Sequence, residues 1–372
     1  MKLLHLSDLH VGKRVHEANL LEDQAYILQK ILEIVDAEAP DAVLLAGDLY
    51  DRTTPSAEAV ALFDEFLCRL AARPTRVLAI SGNHDSPERV AFASRLLTAR
   101  DVYLSPVFDG TIRPVTLSDE FGPARFWLLP FLKPATVRRF YPDRELETWT
   151  DALRTVIDAL PLDRSERNVL LAHQFITGAV RSESEELSVG GADNVDAEVF
   201  AAFDYAALGH LHGPQSVGPN ARYCGSPLKY SFSEARQEKS VTVVELGEKG
   251  RVEIRTVPLT PLRDLRELRG GFLELCRGPE TDDYLRIVLT DEQELPDAFG
   301  RLRLSYPNLL KLDYDNRRSR AEGTPEEPGE AERLGPLELF EALYETQNGQ
   351  PMSEEQRAFS LALMEEIWEG ML

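Results

Sequence analysis

Continuous apolar runs alternate with amphipathic stretches through the first hundred residues. The run at the start of the chain, LLHLSDLHVG, contains five large apolar side chains and has Asp8 and His10 toward its far end. It is followed by the runs DAVLLAGD and RVLAIS, with helical patterns over about Leu20–Val35 and Ser56–Arg73 between the three runs. Buried strands that alternate with helices are typical of a sheet covered on both faces. The pattern predicts an α/β layer structure.

A third helical stretch opens at Ser86 and Pro87, where serine suits the N-cap and proline suits the first turn. From about Val102 the apolar runs TIRPVTL, RFWLLPF, NVLLAHQF and YAALGHLH indicate strands, with one helical interval near Leu146–Leu160. Short alternating runs, KSVTVVELG and RVEIRTVPL, follow. These patterns predict two sheets that pack face to face with helices outside them.

The pattern changes again after Pro258. The segments FLELC, YLRIVLTD and LLKLDYD, with a helical interval near Pro296–Leu304, predict a small α+β module over residues 261–315 that follows a main domain over residues 1–260. Residues 316–335 are rich in charge, proline and glycine and predict a flexible linker.

Apolar residues recur at helical spacing in residues 336–372, at Leu337, Phe340 and Leu343 and again from Phe359 to Trp368. Two short amphipathic helices bury little apolar surface by themselves. They either fold back on the body of the protein or dock on a partner, and the linker ahead of them favours docking.

Composition limits the class of protein. The chain has 372 residues, with 43% hydrophobic and 28% charged residues, and its apolar runs are too short to span a bilayer. No secretory signal pattern is found at the start, so a cytoplasmic location is expected. Three widely separated cysteines, Cys68, Cys224 and Cys276, argue against a disulfide framework or a thiolate metal site.

The net charge of −22 is unevenly distributed. Residues 321–372 carry 13 acidic and 2 basic side chains, which is half of the net charge. An acidic protein can still present a basic groove, and bound divalent cations reverse the local field. The charge therefore does not exclude a nucleic-acid partner.

Groups that can bind metal ions follow the predicted strands in the motifs SDLH, AGDLYD, SGNHD, LLAHQF and LGHLH. The candidate ligands are Asp8, His10, Asp48, Asn83, His173, His210 and His212. Ligands gather at the carboxyl ends of strands in α/β sheets, and the glycines of the motifs permit close backbone approach there. Nitrogen and oxygen donors favour Mn, Fe, Zn or Mg, and seven donors suit two ions bridged by a carboxylate. Such a site attracts phosphate.

Taken in order, DLH, GDLYD, GNHD, the isolated His173 and GHLH resemble the five signatures of the calcineurin-like metallophosphoesterases. The longer segments GDLYDRTTPSAEAV, SVGGADNVDAEVFAAFDYAALGHLH and YCGSPLKYSFSEARQEKSV are similar to a nuclease branch of that family. The resemblance implies a four-layer α-β-β-α sandwich, a small capping domain that binds DNA and a C-terminal helical segment for a partner.

The resemblance also implies roles for individual residues. One ion would be held by Asp8, His10, Asp48 and His212, and the other by Asp48, Asn83, His173 and His210, so that Asp48 is the bridge. His84 would contact the scissile phosphate and help the leaving oxygen depart. Asp51 is a hypothetical orienting partner of His84.

The implied activity is Mn²⁺-dependent hydrolysis of DNA, as a 3′–5′ exonuclease on duplex ends and an endonuclease on single strands and hairpins. The implied partners are DNA, an SMC-like ATPase bound through residues 336–372, and a second copy of the chain. The second copy would bind through helices at about Ser56–Arg73 and Pro87–Leu97. Two alternatives stay open: an esterase for small phosphate esters or nucleotides, and a catalytically silent scaffold.

Other residues near the motifs have plainer explanations. Asp85 either orients a loop or caps the helix that follows it, and His5 and His16 are given no role. Lys13, Arg14, Arg89 and Lys229 either contact DNA phosphates or are ordinary surface cations.

Overall fold

A computed structural model describes residues 1–185, 194–293, 295–316, 337, 340–341, 343–345 and 351–369. The first strands are β1 (Lys2–Leu6), β2 (Arg14–Val15), β3 (Ala18–Asn19), β4 (Ala42–Ala46), β5 (Arg76–Ile80), β6 (Val102–Leu104), β7 (Val115–Asp119) and β8 (Gly122–Leu128). The later strands are β9 (Arg167–His173), β10 (Tyr205–Gly209), β11 (Gln215–Val217), β12 (Ala221–Tyr223), β13 (Ser240–Leu246), β14 (Val252–Pro258), β15 (Leu265–Gly270), β16 (Tyr284–Leu289) and β17 (Leu309–Tyr314). The helices are α1 (Leu21–Glu38), α2 (Ala57–Ala71), α3 (Pro87–Val90), α4 (Ser94–Leu97), α5 (Pro134–Arg138), α6 (Trp149–Asp158), α7 (Phe272–Leu275), α8 (Ala298–Leu302) and α9 (Glu354–Glu369).

Two six-stranded sheets form the body of the protein. The first has the order β14-β13-β1-β4-β5-β6 and the second has the order β11-β12-β10-β9-β8-β7. The central strands β1, β4 and β5 run parallel to one another, as do β8, β9 and β10. The carboxyl ends of these strands therefore lie together at one edge of each sheet.

The apolar side chains of the strands sort by the two-residue period of a β-strand. In β1, Leu3 packs with Phe126 and Leu171 of the second sheet, in a core between the two sheets. Its neighbour Leu4 faces the other way and packs against helices α1 and α2. Because these strands are buried on both faces, they read as continuous apolar runs rather than alternating ones.

The outer face of the second sheet is covered by α6, whose buried side chains Leu153 and Val156 pack against Leu170 of β9. Helix α6 begins with a capping box formed by Thr148 and Asp151. The layers are thus helix, sheet, sheet and helix, which confirms the predicted four-layer sandwich.

The helix predicted over Pro87–Leu97 is wrong as a continuous element. Ser86 does cap α3, accepting a hydrogen bond from the Arg89 amide at 3.4 Å, but the helix stops after one turn. Ala93 then adopts a left-handed conformation with a φ of 57°, and α4 begins at the next residue. The two short helices are separated by this turn.

Strands β15, β16 and β17 form a separate three-stranded sheet. The segment FLELC begins α7, and strand β15 lies just before it at Leu265–Gly270. Tyr284 of this sheet donates a hydrogen bond from its hydroxyl to Asp23 of α1 at 2.8 Å, and the Arg263 guanidinium lies 3.1 Å from the same carboxylate. The boundary predicted near residue 260 stays a prediction.

The chain divides into two compact units. One contains residues 1–288 and 296–313, and the other contains residues 289–295 and 314–372. In the second unit, Gln356 of α9 donates a hydrogen bond to the Tyr344 hydroxyl at 3.0 Å, and Arg357 forms an ion pair with Glu341 at 2.6 Å. The linker predicted over residues 316–335 lies outside the described residues except for Asn316. Among the described helices, none has the length and apolar character that crossing a bilayer requires.

Candidate metal centre

The seven candidate ligands meet where the central strands of both sheets end. Asp8 and Asp48 follow β1 and β4 by two residues, and Asn83 follows β5 by three. His173 is the last residue of β9, and His210 comes directly after β10. The convergence follows from the parallel arrangement of the strands.

Backbone strain is concentrated in these loops. Asp8, His10, Asp48 and His210 all have positive φ angles, of 53°, 43°, 49° and 104°. Each such conformation costs about 1 to 3 kcal/mol for a residue other than glycine, and such strain clusters at functional sites. The loops therefore hold these side chains in place at the expense of stability.

Two glycines permit the close approach of the strand ends. Gly47 has a φ of 89°, and a Cβ atom on it would overlap the ring of His173. A Cβ atom on Gly209 would overlap the carbonyl oxygen of Ala46 in the other sheet. The role predicted for the glycines of GD and GH is confirmed at these two positions.

One group of donors surrounds His10. The Nε2 atoms of His10 and His212 are 3.2 Å apart, and His10 Nε2 lies 3.5 Å from Asp48 Oδ2. Donor atoms of Asp8, His10 and His212 all lie within 4.8 Å of one another. These four side chains are the ones that the family resemblance assigned to the first ion.

A second group of donors surrounds Asn83. Its Oδ1 atom is 3.0 Å from His173 Nε2 and 3.0 Å from His210 Nδ1. His173 Nε2 also lies 3.3 Å from Asp48 Oδ2, so Asp48 belongs to both groups. The structure therefore brings together all seven predicted ligands.

The hydrogen atoms available in the cluster do not satisfy all of these contacts. His173 Nδ1 lies 2.8 Å from the carbonyl oxygen of Ala46, to which only an N–H can donate. In neutral His173 the Nε2 atom is then a bare acceptor, yet it faces the acceptor oxygens of Asn83 and Asp48. Either a second proton on the His173 ring or a metal cation among these atoms resolves the conflict. Two ligands held at about 2.1 Å from one ion lie about 3 to 3.5 Å apart, as these atoms do. The residues fit a metal site.

The electrostatics of the cluster also favour a bound cation. Burial raises the pKa of Asp8 and lowers the pKa of His210 to about 3. Burial alone would raise the pKa of Asp48, but His173 beside it holds that pKa well below the usual range. Against its own burial, the Asp48 carboxylate raises the pKa of His173 to about 9. The buried Asp48 carboxylate thus demands a positive partner.

His84 lies beside the donor cluster, with its ring centroid 4.7 Å from that of His10. Its backbone N–H donates to Asp48 Oδ1 at 2.9 Å. Its Nδ1 atom lies 2.9 Å from the backbone carbonyl oxygen of Asp51, which orients the ring. His84 thus contacts the main chain of Asp51, and the catalytic roles of the two residues stay predictions.

The Asp51 carboxylate faces elsewhere. It forms an ion pair with Lys13 at 2.8 Å and lies 3.7 Å from His10 Nδ1, too far for a hydrogen bond. A contact through a backbone carbonyl, which every residue carries, leaves no signature in the sequence.

Asp85 is a loop organiser and not a helix cap. Its buried carboxylate accepts hydrogen bonds from the backbone N–H groups of Leu49, Tyr50 and Gly82 at 2.9 to 3.1 Å. These bonds tie the loop after β4 to the loop after β5, while Ser86 provides the cap. Burial raises the pKa of Asp85 to about 6.

The other residues that were set aside lie in ordinary protein contacts. His5 is buried and its Nδ1 atom is 2.8 Å from the Tyr205 hydroxyl, whereas Arg14 donates to the carbonyl oxygen of Glu17 at 2.7 Å. Lys229 forms an ion pair with Asp264 at 2.9 Å. Contacts of Lys13, Arg14, Arg89 and Lys229 with DNA stay a prediction.

Sequence reasoning missed the residues behind His212, which are the half-buried Ser184 and the buried Glu185, Glu234 and Lys239. Glu234 and Lys239 stand in the segment YCGSPLKYSFSEARQEKSV, which carried part of the resemblance. A glutamate and a lysine in a polar run are usually exposed, so residue type alone gave no sign that they are buried at the site.

Comparisons with known proteins agree with the geometry. The calcineurin-like phosphoesterase family matches residues 1–214, and a family described as the type 5 capsule protein repressor C-terminal domain matches residues 261–348. The SbcD subunit of the nuclease SbcCD from Staphylococcus epidermidis is 34% identical over 84% of this chain and 85% of its own length. Its counterpart from Staphylococcus saprophyticus is 34% identical over 84% of each chain. A dimetal phosphatase from Danio rerio covers 70% of this chain and 99% of its own, with 15% identity and a TM-score of 0.41.

Two packed sheets with histidines, asparagine and aspartates at their carboxyl ends define a metallophosphoesterase, a phosphoester hydrolase that uses divalent metal ions. This confirms the resemblance drawn from the five motifs. Within that class, the chain belongs to the SbcD family of nuclease subunits.

Proposed function

We propose that the chain is a Mn²⁺-dependent DNA nuclease, with 3′–5′ exonuclease activity on duplex ends and endonuclease activity on single strands and hairpins. It would act in DNA end processing, repair and recombination. Membership in the SbcD family supports the substrate, and the convergence of seven metal-binding side chains supports the chemistry.

The cofactor would be two divalent ions. Asp8, His10, Asp48 and His212 would hold one, and Asp48, Asn83, His173 and His210 would hold the other. Bound ions of this kind neutralise the charge of a phosphodiester and lower the pKa of an attacking water. Four imidazoles among the donors argue against Mg²⁺ or Ca²⁺, which prefer all-oxygen sites, and the family resemblance supports Mn²⁺ as the ion.

His84 would assist the departure of the leaving oxygen. Its Nδ1–H donates to the carbonyl of Asp51, so the proton available to a substrate is the one on Nε2 of the imidazolium form. The half-buried position beside Asp48 allows contact with a bound phosphate. A ring that contacts the phosphate there would serve as a general acid or an electrostatic stabiliser.

A homodimer would form through α2 and the short helices after it. Phe92 and Leu96 are 80% and 77% exposed, and Val60 on α2 is 43% exposed. Large apolar side chains that cluster on a surface mark interaction sites. The family resemblance supports the binding of a second copy of the chain at this surface.

The second proposed protein partner is an SbcC-type ATPase, bound through residues 336–372. The relatives are named as subunits of SbcCD, and the C-terminal part of this chain exposes Phe359, Leu343 and Leu363. Deletion of residues 336–372 should abolish association with the ATPase and spare Mn²⁺-dependent cleavage. Co-purification of the shortened chain with the ATPase would contradict this role. The cytoplasmic location stays a prediction.

The test of the activity is to incubate the purified chain with Mn²⁺ and three substrates: duplex DNA, hairpin DNA and p-nitrophenyl phosphate. Cleavage of both DNA substrates supports the proposal. Turnover of the small ester alone would instead identify an esterase for small phosphates, and inactivity on all three would support a silent scaffold.

A further inference from the structure

The side chains that hold His212 form a buried network outside the set of metal ligands. Glu234 is fully buried, and Lys239 and Glu185 are buried beside it. We infer that Glu234, together with Ser184 and Lys239, positions His212 for metal binding by fixing its ring tautomer and its backbone. This inference rests on the proposed role of His212 as a metal ligand.

The contacts of the ring determine its tautomer. The Ser184 hydroxyl donates to Glu234 Oε1 at 2.5 Å, so the Ser184 oxygen is free to accept from His212 Nδ1 at 2.8 Å. Glu234 Oε1 itself lies 3.3 Å from the same nitrogen. Both neighbours of Nδ1 are acceptors, so Nδ1 carries the proton. The Nε2 lone pair then points at His10 Nε2, where the first ion would bind.

The same network holds the backbone of His212. Lys239 Nζ donates to the His212 carbonyl oxygen at 2.8 Å and to Glu234 Oε2 at 2.6 Å. On the other side, the His212 N–H donates to Glu185 Oε1 at 2.6 Å. Lys239 thus links the Glu234 carboxylate, which lies behind the His212 ring, to the main chain of His212.

Burial of these charges costs so much free energy that the network is a poor source of stability by itself. Removing two charges from water costs several kcal/mol per ion, and a buried ion pair often adds no net stability. Its position is explained by the ligand it contacts. A carboxylate on the far nitrogen of a metal-binding histidine fixes the tautomer and raises the basicity of the ligand. Glu234 contacts His212 Nδ1 both directly and through the Ser184 hydroxyl.

The test measures Mn²⁺ binding by the full chain with isothermal titration calorimetry. Glu234→Ala and Ser184→Ala should weaken one of the two Mn²⁺ binding events by about 10- to 100-fold and leave the other unchanged. Glu234→Gln should fall between these variants and the wild type, because its amide oxygen still accepts a hydrogen bond. The matched control is Asp119→Asn, which removes a carboxylate from an ion pair with the buried Arg167 at the opposite, amino-terminal edge of the strands.

A spectroscopic readout separates positioning from stability. In the metal-free chain labelled with ¹⁵N-histidine, His212 should be the Nδ1–H tautomer. Glu234→Ala should change the NMR chemical shifts of the His212 ring nitrogens. Thermal unfolding confirms that the variant is folded. If Glu234→Ala does not fold, Ser184→Ala provides the test of the inference, because it removes only one hydroxyl group. Unchanged Mn²⁺ affinity in the folded variants, or the Nε2–H tautomer in the wild type, would overturn the inference. DNA cleavage by the wild type is scored separately, so its absence contradicts only the proposed function.

Discussion

The Nε2 atoms of His10 and His212 lie 3.2 Å apart although the two residues are 202 positions apart in the sequence. The Ser184 and Glu234 contacts make His212 Nε2 an acceptor, so the pair needs a shared proton or a shared cation between its nitrogens. His173 Nε2 faces the oxygens of Asn83 and Asp48 in the same way, and this contact also calls for a proton or a cation. Two such pairs, joined by Asp48, are the physical basis for a site with two ions.

Asp48→Asn should weaken the binding of both ions, because Asp48 Oδ2 lies near both His10 and His173. The loss of affinity should exceed the about 10- to 100-fold that follows removal of an outer partner. Calorimetry with Mn²⁺ measures it. The control is Asp158→Asn on the exposed end of α6, which should bind Mn²⁺ as the wild type does. Loss of only one ion would show that Asp48 is not the bridge.

His84→Gln should separate metal binding from catalysis. The backbone N–H that contacts Asp48 remains in the variant, so Mn²⁺ affinity should be unchanged. Cleavage of duplex DNA should fall by about 10²- to 10⁴-fold, the range for loss of a positioned general acid. An equal loss of metal affinity would instead make His84 a ligand.

Asp51→Asn should reduce cleavage much less than His84→Gln does. The His84 ring is oriented by the backbone carbonyl at position 51, which the substitution keeps. The ion pair with Lys13 is lost, but it lies outside the donor groups. Single-turnover rates for the two variants, measured side by side, decide the matter. Equal losses would restore the Asp51 carboxylate to a catalytic role.

Leu96→Glu should convert a dimer to a monomer. Leu96 is 77% exposed, and a carboxylate buried in an apolar interface costs several kcal/mol. Light scattering coupled to size-exclusion chromatography measures the mass. Leu304→Glu is the control, because Leu304 is 86% exposed on the part of the chain that follows α8. A monomeric wild type would contradict the proposed dimer.

The ion pair of Asp119 and Arg167 should make stability depend on pH. The buried Arg167 guanidinium holds the pKa of Asp119 well below its usual range. The carboxylate therefore contributes stability that is complete above the ordinary value of about 4 and declines as the pH falls toward the folded-state pKa. At neutral pH, Asp119→Asn should cost about 3 kcal/mol because the buried Arg167 guanidinium loses its carboxylate partner.

Denaturant unfolding at several pH values checks this. The difference in the free energy of unfolding between wild type and Asp119→Asn should narrow as the pH is lowered from about 5 to about 3. A difference that stays constant over this range would rule out ionisation of Asp119 as its source.

The features that were predicted correctly depend on residue types that recur at fixed spacing along the chain. The apolar run before Asp8 defines a buried strand, and glycines such as Gly47 mark the tight turns that follow. The parallel arrangement of strands then brings the ligands together by a general rule. For this reason the sandwich and the convergence of all seven side chains could be predicted from the sequence.

The features that were missed depend on backbone geometry or on tertiary burial. The break at Ala93 arises from a left-handed residue that carries no glycine signature. The orientation of His84 uses a carbonyl group, and the burial of Glu234 depends on Lys239 and His212 meeting it in the fold. None of these contacts has a sequence period that would reveal it.

The central claim is that seven side chains hold two cations, and the most direct test is anomalous diffraction from crystals grown with Mn²⁺. The account predicts two anomalous peaks about 3.5 to 4 Å apart. One should lie among Asp8, His10 and His212, and the other among Asn83, His173 and His210, with Asp48 between them. A single peak, or no manganese among these residues, would contradict the account.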